Sequence, residues 1–123
     1  MPDSVYIQNL NKRLDSPARV IFCDSFVCRL RGLMFQRSLA SGEGLLLVIA
    51  RDSRPDAAIH MLFVRFDLAV FWIDSGLRVV DKVLARSWRP AYIPAAAARY
   101  TLELHPGRFG DYEIGHQVQF NHA

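Results

Sequence analysis

Along much of this chain apolar residues recur at every second position, the period of a strand with one buried face. Val5-Tyr6-Ile7-Gln8 alternates and runs into the polar, turn-forming tract Asn9 to Arg13, and Ala18-Arg19-Val20-Ile21-Phe22-Cys23 resumes β-favouring residues; we expect a first pair of strands. The period then changes. Behind the capping side chains Asp24 and Ser25, the apolar residues Phe26, Leu30, Leu33 and Met34 share one helical face, which predicts a short helix covering an open end of the β structure. Gly32 is a poor helix former, about 1 kcal/mol worse than Ala, so a close packing contact is expected there.

Leu45 to Ile49 is an unbroken apolar run with the length of a buried strand. From Ala57 to Val70 both parities are apolar, the pattern of strands packed on two sides, with a bend expected near Arg65-Phe66-Asp67. Asp74-Ser75-Gly76 marks a tight turn into Leu77 to Leu84. Pro94 to Ala98 has Pro placed to open a helical turn. Arg99 to Leu104 alternates until His105-Pro106-Gly107, and Gly115 to Phe120 supplies a last strand. The predicted fold is mainly β, a jelly-roll-like β-sandwich or partly closed barrel with one short helix after the second strand. We expect a single domain over 1–123, with residues 1–17 forming an N-terminal strand and turn and 18–120 the β core.

Composition narrows the function classes. With 51% hydrophobic and 22% charged residues over 123 positions the chain is no disordered segment, and at this size roughly two thirds of the unfolded surface is buried, so that neither disulfides nor a metal is needed to hold a core. The most apolar tract is broken by His60, Arg65 and Asp67, too soon for a membrane-spanning helix. Fifteen Lys and Arg against twelve Asp and Glu give +3, but the arginines are dispersed from Arg13 to Arg108, which argues against nucleic acid as partner. Cys23 and Cys28 form no C-x-x-C pair and no histidine cluster joins them. We expect reduced thiols, no metal site, no cofactor and, with no signal-like N-terminus, a cytoplasmic setting.

The order of motifs resembles the bacterial and archaeal family called domain of unknown function 192. The blocks that carry it are Arg29-Leu30-Arg31-Gly32-Leu33-Met34-Phe35, Gly42-Glu43-Gly44-Leu45-Leu46-Leu47, Ile59-His60 continuing to Arg65-Phe66, Ile73-Asp74, and Leu102-Glu103-Leu104 followed by Pro106-Gly107. The resemblance implies a small, mostly β, jelly-roll-like domain and no established activity. Two places depart from the family pattern: Asp67-Leu68-Ala69 stands where proline, an aliphatic residue and aspartate are usual, and Gly115-His116 where glycine precedes aspartate.

Candidate chemistry is sparse. His60 has a side chain suited to proton exchange near neutral pH, in an apolar setting where a hydrogen-bonded structural role is the simpler account. Arg65, flanked by Val64 and Phe66, either pairs with a carboxylate or reaches an anionic ligand. Glu103 faces away from Leu102 and Leu104 and is the expected partner in an Arg-Glu strut. Trp88, Arg89 and Tyr92 form a loop able to stack on a ligand. No nucleophile elbow or phosphate-cradling glycine loop is present. The leading expectation is a non-catalytic domain binding a small molecule or protein. An enzyme built on His60, Arg65 and Glu103, a hydrolase or carbohydrate-active protein, is the alternative; a weak nucleic-acid binder is the third.

Overall fold

The computed structural model describes residues 4–122. Seven strands, β1 (Ser4–Asn9), β2 (Arg19–Cys23), β3 (Glu43–Ser53), β4 (Leu68–Ile73), β5 (Val79–Ala85), β6 (Ala98–Leu104) and β7 (Val118–His122), form one sheet in the order β5-β4-β6-β3-β2-β1-β7. All pairings are antiparallel except β2 with β3. That parallel pair needs a crossover, and its connection carries the single α-helix among the described residues, α1 (Phe26–Arg31). The sheet curls until its edges approach. Arg78 and Gln117 form a bridge, Val118 N–H donates to the Leu77 carbonyl at 2.8 Å and Val79 N–H to that of His116 at 2.9 Å. The result is a partly closed barrel, as the strand pattern predicted.

Two apolar cores follow from the pleat. Inside the curl every strand contributes, including Val5, Val20, Leu46, Phe71, Val79, Leu102 and Val118, with Tyr112 closing the interior. On the outer face Leu45, Leu47, Leu68, Val70 and Trp72 pack under Ala57, Ile59, Met61 and Val64. This explains why β4 is buried at every position and why both parities of the sequence are apolar there.

Three details differ from the sequence reading. Residues 57–67 are not strands: apart from the Ile59–Tyr92 bridge they form an irregular cover, anchored where Trp72 Nε1 donates to the Ala57 carbonyl at 2.8 Å. Residues 94–97 form no helical turn and lead directly into β6. The thiols expected to be reduced are instead joined as a Cys23–Cys28 disulfide, because the turn from β2 into α1 brings their Cα atoms to 5.7 Å.

Candidate functional site

The helix α1 lies over the outer face of the sheet without sinking into it. Ser25 caps it, accepting from Cys28 N–H at 3.1 Å, but none of its residues is buried, and Phe26, Val27 and Leu30 are largely exposed. The expected cap of Phe26, Leu30, Leu33 and Met34 is thus only half formed: Leu33 and Met34 pack on the outer core, and the other two remain outside. Gly32 ends the helix with φ of +49°, a backbone that favours glycine. Added at Gly32, a Cβ would lie 3.8 Å from Glu103 Oε1, an ordinary contact distance, so it is the backbone conformation and not the close packing anticipated from sequence that favours this glycine.

Between α1, the 57–67 cover and the sheet lies a cavity of about 510 Å³. Its walls are mainly apolar, among them Leu30, Leu47, Ile49 and Val64, and its polar groups are Arg29, Arg31, Asp56, His60, Thr101 and Glu103. Glu103 reaches it from β6, opposite Leu45 and Val70 in the ladder. It is only 4% exposed and makes no hydrogen bond or ion pair among the described residues; burial alone pushes its pKa up to about 7. Among those residues no fully sealed side-chain polar atom lacks a partner, so the carboxyl is turned to cavity space.

Arg29 approaches from α1. Its Nη1 donates to the carbonyls of Asp24 at 2.5 Å and Val48 at 3.1 Å, and no carboxylate pairs with it among the described residues, whose ion pairs are Lys82–Glu113, Arg86–Asp67 and Arg108–Asp111. His60 is bound at both nitrogens. Leu62 N–H can only donate to Nδ1, at 3.2 Å, so Nε2 carries the proton and donates to the Leu30 carbonyl at 3.3 Å. The imidazole therefore staples the cover to α1.

Of the residues singled out from sequence, the fold brings His60 and Glu103 to one cavity. Arg65 does not line it; the side chain is exposed and has no partner among the described residues, so the Arg-Glu strut is not formed. The tie at the bend comes instead from Asp67, which accepts from Ser87 N–H at 2.9 Å and pairs with Arg86 at 3.5 Å. Tyr92 works within the loop, its hydroxyl accepting from Arg86 N–H at 2.7 Å. Trp88 is exposed and stacks edge-on against Phe63 at 5.0 Å, which packs on Phe35 at 5.2 Å. All three aromatics have positive φ, and Phe35 and Phe63 directly follow and precede the cavity residues Met34 and Val64. Arg29, which with Arg31 stands beside the apolar residues of the helix and reads from sequence as a solvated arginine with a packed stem, was not among the candidate site residues, yet it lines the cavity.

Among the described residues no three His, Cys, Asp or Glu gather closely enough to hold a metal ion, and no helix is long and apolar enough to cross a membrane.

Residues 7–120 match the family model DUF192, described as Uncharacterized ACR. The chain belongs to the DUF192 family. Its archaeal relatives bear the name UPF0127. That of Thermococcus kodakarensis is 40% identical over 85 residues, covering 69% of this chain and 52% of the relative. That of Pyrococcus horikoshii is 37% identical over 97 residues (79% and 81%), and that of Pyrococcus furiosus 30% over 115 residues (92% and 96%). This DUF192 chain thus spans about half the length of the Thermococcus kodakarensis protein. Two solved structures share the fold at low identity: a Sinorhizobium meliloti protein with a provisional transcription-regulator description (TM-score 0.83, 17% identity, 98% of this chain and 94% of that one), and a Novosphingobium aromaticivorans protein of unknown function (TM-score 0.77, 18% identity, 94% and 83%).

Proposed function

We propose that this DUF192 domain is a non-catalytic binding module that takes a small, apolar-bodied molecule into the cavity beneath α1. One observation carries the reading: Glu103, almost wholly buried and without a partner, faces a space of about 510 Å³. The carboxyl opens on the cavity without a protein partner among the described residues, so a ligand group that meets it there gains a hydrogen bond without displacing another. The volume lies within the range of small-molecule sites, and apolar walls with a few convergent polar groups are their usual composition. The Phe35–Phe63–Trp88 aromatic row adjoins the cavity residues Met34 and Val64 in sequence and offers exposed rings for the same ligand to touch.

Binding is favoured over acid-base catalysis because both nitrogens of His60 are engaged in holding the cover. Nucleic acid is less well supported, since α1 has six residues, too few for a recognition helix, and the arginines form no stripe.

The test is thermal stability across a panel of uncharged and charged amphiphiles, for the protein and for Ala58→Phe, which fills the cavity from the cover. A binder raises the Tm of the parent, by mass action on the native state, and leaves the folded variant unmoved. A panel in which no compound discriminates between the two overturns the proposal.

A further inference from the structure

We infer that the cavity ligand is zwitterionic: an apolar α-amino acid whose ammonium meets Glu103 and whose carboxylate meets Arg29. This deepens the binding proposal and rests on it. Among the ionisable groups that line the cavity, Glu103 on the sheet and Arg29 on the helix are of opposite sign, and neither is neutralised by a side chain of the described residues. Glu103 stands on the sheet without any hydrogen bond. Arg29 spends Nη1 on two carbonyl oxygens, which leaves its charge unpaired and its Nε and Nη2 hydrogens available. Were they each other's partners, they would stand within ion-pair distance, and among the described residues no such pair occurs.

Each half of the site selects against a ligand with one charge. A simple amine gains Glu103 but shares the cavity with Arg29 and Arg31; a simple carboxylate gains Arg29 but brings no cation to Glu103 and shares the cavity with Asp56. A molecule carrying both charges on neighbouring atoms satisfies both, and its side chain continues along Leu30, Leu47, Ile49 and Val64. The space accommodates a large apolar side chain such as that of phenylalanine.

Proton exchange gives an independent signature. In the empty site Glu103 holds its proton up to about pH 7. An arriving ammonium favours the carboxylate, so the carboxyl proton is released to solvent on binding and affinity rises with pH toward 7. The other titratable and charged groups facing the cavity are Arg29 and Arg31 from α1, Asp56 just before the cover, and His60 within it.

The experiment compares phenylalanine, N-acetylphenylalanine and phenylalaninamide, matched in side chain and each blocked form lacking one head-group charge, by calorimetry at pH 6 in buffers of different ionisation enthalpy. Phenylalanine is expected to bind at least tenfold more tightly than either blocked form and to release a proton. Glu103→Gln abolishes the proton release and the discrimination against the N-acetyl form. Arg29→Gln does the same for the amide, while Arg29→Lys restores it, which separates loss of charge from loss of fold. If the blocked forms bind as well as phenylalanine, or if only other members of the amphiphile panel bind, the zwitterion inference falls while the cavity reading stands. If nothing apolar binds at all, both fall.

Discussion

A carboxyl that gives up water without gaining a partner makes stability depend on pH, and Glu103 is such a group. Below its unfolded value of about 4.5 both states are protonated and the group does not weaken the fold. Between 4.5 and about 7 the unfolded chain releases the proton while the native one keeps it, so stability falls as pH rises; above 7 the loss is complete. Its size is roughly 3 kcal/mol from the pKa difference. Glu113, held below its ordinary range chiefly by the hydrogen bond from Lys82, acts in the opposite sense, losing stability only as pH drops below the carboxylate range. The urea midpoint should therefore decrease from pH 5 to pH 8, and Glu103→Gln should flatten that slope and be the more stable protein at pH 8; parallel curves for the two would refute the assignment. Gly44 makes a second argument at this scale. A Cβ there would stand 2.5 Å from Leu104 Cδ2 and 2.6 Å from the Glu103 carbonyl oxygen, whereas at Gly42 nothing lies within 4 Å. Gly44→Ala should cost about 3 kcal/mol through enforced separation of β3 and β6, and Gly42→Ala about 0.5 kcal/mol or less, as read from denaturant midpoints at unchanged m.

Among the elements, α1 is the one held by tethers rather than by packing. Six residues are too few for an independent helix, and with no buried side chain it depends on the Ser25 cap, the Arg29 bond to Val48, the His60 bond to Leu30 and the link from Cys28 to Cys23. A disulfide closing so short a loop restricts the unfolded chain modestly, by about 2 kcal/mol on a chain-entropy account. Cys28→Ser should thus cost no more than that, and amide exchange should accelerate over Phe26–Arg31 while β4 and β6 keep their protection. Equal acceleration in β4 would show that the tether supports the whole sheet. The helix itself was legible from Ser25 and the spacing behind it. How it packs was not, because periodicity marks which residues share a face but not whether another surface reaches that face: Leu33 and Met34 found the outer core, Phe26 and Leu30 did not. The missing Arg-Glu strut has the same origin. Alternation correctly turned Glu103 away from Leu102 and Leu104, yet pairing with Arg65 required a chain path that local pattern does not contain.

At the scale of the molecule one sheet serves two cores, and its strand β4, second from one edge, is sealed on both sides. Apolar residues on both parities announced that burial, but they could not distinguish a second layer of strands from the irregular 57–67 cover, since either supplies apolar side chains at similar spacing. The distinction has a mechanical consequence. Inside the curl, contacts come from every strand and are lost only on global unfolding; the cover is fastened to the sheet through the Ala57 carbonyl, which accepts from Trp72 Nε1 at 2.8 Å and Thr101 Oγ1 at 3.2 Å, and to the neighbouring loop through the Ile59–Tyr92 bridge and the bonds of Met61 with Trp88 and Arg89. Trp72→Phe keeps an aromatic ring in the outer core but removes the stronger of those two donors. It should lower global stability by about 1–2 kcal/mol, and limited proteolysis within residues 54–67 should accelerate by more than that loss predicts, because the cover opens as a sub-global unit. Ligand-induced protection of the same segment should weaken in parallel, since Ala57 and Ala58 wall the cavity. Cleavage that only tracks global stability would mean that sheet and cover unfold together, and that the cavity opens by some route other than lifting its cover.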